Sequence, residues 1–568
     1  MLFVWCISSF FQIMEQKYME DIAQFLHDME WIYDFHVTKI FTKDIFSQMP
    51  EDWKASLLNL PVHTLNGIPQ GKTQDDWPLS LRLFLEKCQK FSLQNLARAS
   101  CENDPVADTR KVPQTFTKGL SEKKTHEVLC LLKLTERIAN VTGSKYVLDI
   151  GSGLGYIDSL LHNTLKLTVV GAESQKDRVK SATERQTRLF SECSGVRHIH
   201  WALTDDEETL TRAHREVVEM MKADVICTCK EEKKGTRKPL ENLQSSMPVN
   251  CLTDPSQEYH HVEENSSLGK SAILIGLHAC ADLSPIMLKV FQDCPQLSSL
   301  ILLSCCYHKM TPEKLAIEGN QSNEENCVCI TDETVGTDRG AFRRVEQSPS
   351  SLTDEDLRAC NFVNFPLSNA LKTILAQKKI HFSTFGLRLA AQESGLRWVQ
   401  QTEKDHETHR NSVAYRAILE AFCDKDKLAV KRLRRHARKS SFDNFEEYIN
   451  TIITNYKFVP ADSSISVDDH EENILRQETQ DSTVEFNQMS TREHISEELA
   501  ECYKRFEHLF PLIEPLTGLQ LALQPVMEAL ILIDRVSFIK EAGFCNVSLE
   551  KVFDVTISPR NVALVAIR

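Results

Sequence analysis

The chain has 568 residues and a mass of 64.9 kDa, enough for several domains or for one domain with large insertions. Hydrophobic residues make up 42% and charged residues 26%, and mean hydropathy is -0.30; a polytopic membrane protein and a wholly disordered chain are both excluded. Lys+Arg total 66 against Asp+Glu 80, a net charge of -14, which excludes a globally basic nucleic-acid coat but not a local basic patch.

The 18 cysteines are scattered without a C-x-x-C spacing, so reduced thiols in the cytoplasm or nucleus are expected. Met1–Met14 is apolar but lacks a basic leader and a small-residue cleavage site, and is too short to span a bilayer. It reads as a buried helix start or as an extension before a start at Met14. No membrane association is expected.

Residues 1–117 are predicted to form a helical N-terminal region, with helical spacing in Met19–Met29, Trp53–Leu60 and Trp77–Cys88. Lys123–Ile138 is a further helix. The period then changes. Tyr146–Ile150, Leu167–Ala172, Ala272–His278 and Leu300–Ser304 read as buried strands. Tyr156–Leu165, Val179–Phe190 and Pro285–Phe291 read as the helices among them. Such alternation predicts a doubly wound, mostly parallel sheet covered on both faces, with its core in residues 118–315.

Three stretches lack an apolar period and are expected to be disordered: about 231–270, 316–352 and 461–490. Between the last two, 353–460 reads as a helical insertion, with amphipathic spacing in Ser368–Gln377, Ser412–Phe422 and Phe442–Ile453. Residues 491–568 close the sheet: a helix over Gln524–Ala542, then strands Val547–Val555 and Asn561–Ile567 paired across the turn Ser558–Arg560. The sheet is therefore expected to be completed only by the last forty residues or so.

The strongest chemical signal is Val147–Leu160, VLDIGSGLGYIDSL. A buried strand runs into Gly151, Ser152, Gly153 and Gly155, then into a helix; glycines there let the backbone come close to a ligand. The spacing G-x-G-x-G is not the G-x-G-x-x-G of nicotinamide enzymes and lacks the lysine of a P-loop. Asp149 precedes the loop. Glu173 ends the next strand, 173 − 149 = 24 residues later, where a carboxylate can accept both hydroxyls of a ribose. The combination suits S-adenosylmethionine, which has an ammonium for Asp149 and no phosphate.

These residues resemble the class I S-adenosylmethionine-dependent methyltransferases, a resemblance that implies a seven-stranded Rossmann-like sheet. The segments KGLSEKKTHEV (Lys118–Val128), GLHACADLS (Gly276–Ser284), LLSCCYHKM (Leu302–Met310), NFPLSNALK (Asn364–Lys372) and the closing VFDVTISPRNVALVAIR narrow the match. They are similar to the methyltransferase-like protein 25 family, which includes proteins labelled as ribosomal RNA adenine dimethylase domain-containing. A fainter similarity is to tRNA ribose 2′-O-methyltransferases with an HxC…CCHH pattern. The resemblance implies that Asp149, Gly151, Gly153 and Gly155 line the methionine and ribose part of the cofactor and that Glu173 holds the ribose. It also places Ser121, Lys123, Lys124, His126 and Glu127 before the first strand, where such folds cap the cofactor or admit substrate; Lys123 and His126 are taken as cofactor-side candidates. The segment Trp201-Ala-Leu-Thr-Asp205, where the residues after the third strand would stand, is the candidate for adenine contact. The (N/D)-PP-(Y/F) tetrapeptide of adenine amino methyltransferases is replaced by His278-Ala-Cys-Ala-Asp282.

His278, Cys280 and Asp282 follow the fourth strand, and Cys305, Cys306, Tyr307 and His308 the fifth. Three readings stay open. His278 or His308 is a base or orienter for the acceptor, with Asp282 holding the ring and Tyr307 beside it. Or His and Cys bind zinc, against which the lack of C-x2–4-C spacing counts, so no metal is assigned. Or the residues are packed at the strand ends. Phe365–Ser368 is either a substrate wall or a helix start capped by Ser368. Lys431–Lys439 carries six Lys or Arg in nine residues, either for contact with RNA phosphates or as a solvated helix face. The expected reaction is methyl transfer to RNA or protein; the alternative is an inactive methyltransferase-like scaffold acting through protein contacts. The oligomeric state is not legible.

Overall fold

The computed structural model describes residues 2–99, 114–190, 194–223, 270–313, 361–432, 442–460 and 482–568. The stretches expected to be disordered, 231–270 and 316–352, lie outside these residues except for Lys270. Of the third, 461–490, only its end is described, and Ser482–Ser490 opens a helix, Ser482–Phe506.

Ten strands are described: β1 (Arg98–Ala99), β2 (Tyr146–Ile150), β3 (Thr168–Glu173), β4 (Val196–His200), β5 (Ala272–Ala279), β6 (Leu297–Ser304), β7 (Leu428–Arg432), β8 (Tyr456–Pro460), β9 (Asn546–Lys551) and β10 (Val562–Ile567). Eight form one sheet in the order β1-β9-β10-β6-β5-β2-β3-β4. The predicted seven-stranded, doubly wound sheet is present, and β1 adds an eighth, two-residue strand parallel to β9. The pairs β2/β3, β2/β5 and β3/β4 are also parallel. The segment 552–561 joins β9 to β10, and Val552 N–H donates to Asn561 C=O at 2.8 Å, a hairpin return too short for a parallel crossover.

The chain divides into two compact units. One holds Asp104–Leu277, Ile286–Leu302 and Val565–Arg568; the other holds Met1–Asn103, His278–Pro285 and Leu303–Leu564. In the first, every side chain of β2 is buried, which explains its unbroken apolar run. Strand β4 and the helix Glu207–Lys222 are not anticipated from the sequence. VRHIH is an edge strand with only Val196 fully buried, so no apolar run marks it.

The second unit is built on the helix Ile513–Glu541. It starts eleven residues before the predicted Gln524, because Pro525, which reads as a helix start, lies in its interior (524 − 513 = 11). Side chains are buried around its whole circumference, the pattern of a core helix. The insertion is helical as expected over Asn369–Lys378, Glu403–Asp426 and Phe445–Asn455, but it also contains the antiparallel pair β7/β8. Lys431 and Arg432, the start of the basic run, lie in β7 and not on a helix; the rest of the run is outside the described residues.

Candidate active site

The glycine loop is held from both ends. Gly151, Gly153 and Gly155 have φ of 77°, 59° and 66°, a left-handed backbone that glycine adopts without a Cβ penalty. The amides of Gly151 and Ser152 both donate to Ala172 C=O, at 2.8 and 3.1 Å, tying the loop to the end of β3. Glu173 completes the attachment. Its Oε2 accepts from Gly153 N at 3.0 Å, and its Oε1 accepts from Gln175 N at 3.0 Å and Ser174 Oγ at 3.2 Å. A carboxylate has roughly four lone-pair sites, so Glu173 keeps capacity for a hydroxyl. A Cβ placed on Gly153 would meet nothing within 4 Å: the loop faces open space at that point.

Beneath the loop lies a set of buried polar groups. Asp149 is 1% exposed, and burial raises its carboxyl to about 6, with the Lys124 charge opposing and the Glu173 charge adding to the rise. Asp158, fully buried, is pushed well above the usual carboxylate range by burial and then by Asp149. His198 Nδ1 stands 3.4 Å from Asp158 Oδ2, and burial with the Arg185 charge lowers this imidazole to about 4, leaving it neutral. Asp149 Oδ1, Ser152 Oγ, both Asp158 oxygens and both His198 ring nitrogens are buried with no hydrogen-bond partner. Buried polar atoms in proteins are nearly always paired, so a cluster of unpaired ones marks a place where a polar ligand or water completes the structure. The room for it depends on glycines: a Cβ at Gly171 would strike Asp158, and one at Gly155 would strike His198.

Helix Glu122–Thr142 is capped by Ser121, whose Oγ accepts from Lys124 N at 3.2 Å. Of the cofactor-side candidates on it, Lys123 lies 3.9 Å from the buried Glu127, and His126 packs its ring on Cys130 Sγ. The lysine whose charge reaches Asp149 is Lys124. Trp201 N donates to Glu173 C=O at 2.9 Å, which sets the residue beside Glu173, but Trp201 is 3% exposed and Arg212 lies 5.0 Å from its ring centroid. Sequence reasoning missed Asp158 and His198. Asp158 was visible as a carboxylate between Ile157 and Leu160 in the first turn after the loop; His198 carries no signal of its own.

In the other unit, the end of β5 and the turn after it are strained: His278, in the strand's last residues, and Ala281, beyond it, have φ of 58° and 53°. Asp282 fixes it. Oδ2 accepts from Thr311 N at 2.9 Å and from Thr311 Oγ1 at 2.7 Å, and Oδ1 accepts from Asn364 Nδ2 at 3.0 Å. Asp282 is thus a loop anchor. Tyr307 is a core residue. It is 2% exposed, its hydroxyl donates to Glu528 Oε1 at 2.9 Å, and Arg535 lies 5.2 Å from its ring centroid. Burial, then the Glu528 charge, holds its hydroxyl well above 10, so it is withdrawn from the catalytic candidates. His278 and His308 remain, both half-buried. The sulfurs of Cys280, Cys305 and Cys306 lie within 4.8 Å of one another. Ser368 acts as the plain reading expects, accepting from Leu371 N at 3.1 Å as a helix cap.

Comparison with known proteins agrees with this layout. Residues 123–313 match a family model described as a methyltransferase domain, a span that includes the glycine loop, Glu173 and both strand-end clusters. A human protein named "Probable methyltransferase-like protein 25" is 22% identical over 671 residues, 97% of this chain and 96% of its own length. The mouse protein of the same name is 22% identical over 579 residues, 86% of this chain and 83% of its own. No solved structure matches.

Proposed function

From a chain related along most of its length to the methyltransferase-like protein 25 family, and carrying a methyltransferase domain, we propose an S-adenosylmethionine-dependent methyltransferase with a macromolecular acceptor, RNA or protein. One observation carries the reading: the buried Asp149 carboxylate, its Oδ1 without a partner, under a glycine loop that is open at Gly153 and pinned by Glu173.

The donor set fits this cofactor. Asp149 would take the ammonium, Glu173 the ribose hydroxyls, and Gly153 the close backbone approach. When bound, the cofactor supplies an electrophilic methyl group on a sulfonium. The chain's own work is then mainly positioning and exclusion of water, which can supply much of the rate for so reactive a group. An acceptor that loses a proton needs a base. His278 and His308 are the candidates left once Asp282 and Tyr307 are accounted for.

Calorimetric titration of the full chain with S-adenosylmethionine and S-adenosylhomocysteine tests the reading, with Asp149→Ala as control. Micromolar binding lost in the variant is expected, followed by transfer of labelled methyl into an RNA or protein fraction. No heat at high ligand concentration would favour the inactive scaffold.

A further inference from the structure

We propose that Cys280, Cys305 and Cys306 form a zinc(II) site with three thiolate ligands and an open fourth position. The site stands whether or not the cofactor reading holds.

The three sulfurs come from two turns that are separately fixed. Cys280 lies in the turn after β5, between the left-handed His278 and Ala281 and next to Asp282, whose three hydrogen bonds to Thr311 and Asn364 hold the turn. Cys305 and Cys306 follow β6, and Cys306 C=O accepts from Lys309 N at 3.1 Å to close the next turn. Two non-glycine residues in a left-handed conformation are strained, and such strain persists where the surroundings impose it. Here it brings a third sulfur to two neighbouring ones.

The spacing suits one ion. Ligands on a tetrahedral zinc with bonds of about 2.3 Å lie roughly 3.8 Å apart. All three sulfurs are within 4.8 Å of one another, and Cys305 and Cys306 are 3.6 Å apart. Cys280 and Cys305, at 2.6 Å, are closer than two thiols rest, and an ion would part them by roughly an ångström. Soft thiolates select zinc over magnesium or calcium. Among the described residues no fourth His, Cys, Asp or Glu donor joins the group. Three protein ligands with a free position is the pattern of zinc that binds a further ligand, and the half-buried sulfurs leave a way in. The sequence hid the site because its ligands are split between two strand ends, 305 − 280 = 25 residues apart, and two of them are adjacent.

The experiment is elemental analysis of the full chain, purified under reducing conditions from zinc-supplemented cells and passed over a sizing column. About one zinc per chain is expected. Cys280→Ser and Cys306→Ser should each reduce it at least tenfold, while Cys545→Ser, at an exposed thiol, leaves it unchanged. Replacement by cobalt should give a thiolate-to-metal charge-transfer band. Wild-type protein without metal and with all three thiols open to alkylation would overturn the proposal, whatever the variants do. So would a Cys280–Cys305 disulfide found by mass spectrometry in the metal-free protein, or zinc that survives both substitutions.

Discussion

Asp149 and Asp158 place two carboxyls in one buried spot, and only one of them can be ionised cheaply. A carboxyl raised to about 6 is protonated below that pH and cannot pair with an ammonium. Affinity for S-adenosylmethionine should therefore rise from pH 5 to pH 7.5, and Asp149→Asn should weaken binding and flatten the profile. Stability of the free protein should run the other way. Because the folded pKa lies above the ordinary carboxylate value, the group favours folding at low pH, and this contribution falls away as pH rises through about 6. A profile unchanged in Asp149→Asn would show that another group titrates. Gly153 gives a second test. With φ of 59° and open space at its Cβ, Gly153→Arg should cost about 1–2 kcal/mol of stability, read from the melting temperature, yet lower cofactor affinity more than tenfold. Asp149, the three glycines and Glu173 were all legible in the sequence, since their spacing is local. Asp158 and His198 were not singled out, because what makes them matter is burial beside Asp149, which only the fold creates.

At the scale of elements, the helix Ile513–Glu541 is both a core rod and a source of buried polar anchors. Asp534 accepts from Leu367 N at 2.8 Å, Ser368 N at 2.9 Å and Ser368 Oγ at 2.6 Å. The FPLS segment is thus fastened at its end by a carboxylate 166 residues on. Asp534→Ala would leave two buried amides unpaired, and a loss of about 3–5 kcal/mol is expected in denaturant unfolding. Asp534→Asn should lose less, since it keeps one acceptor. The helix itself was legible from its apolar run, but its start was not, because a proline inside a helix reads as a beginning. The pair β7/β8 was hidden for a different reason: LAVKR and YKFVP are short strands embedded in helical neighbours, with a basic run obscuring the first.

At the scale of the molecule, β10 is an interior strand between β9 and β6, and its residues Val562–Ala566 are buried. Leu564→Asp would bury a charge with no partner and should abolish recovery of folded protein, while Val141→Asp, at a site 66% exposed, should stay within about 0.5 kcal/mol of the parent. Six strands and the class of the sheet were readable, because a buried parallel strand shows as an unbroken apolar run and the closing hairpin has its own turn residues, whereas the edge strand β4 shows no such run. The eighth was not: two residues at Arg98–Ala99 carry no periodicity, and only the edge of a finished sheet gives them a partner.

The position of β10 also sets a clock. β6 ends at Ser304 and β10 begins at Val562, so 562 − 304 = 258 residues must be made before β6 gains its neighbour on that side. At about 5–20 residues per second this is roughly 10–50 s of synthesis. Throughout that interval the apolar strand LSSLILLS has an unpaired edge, open to the same strand of another nascent chain. Slower growth temperatures and holding chaperones should therefore decide the yield of this protein more than its final stability does.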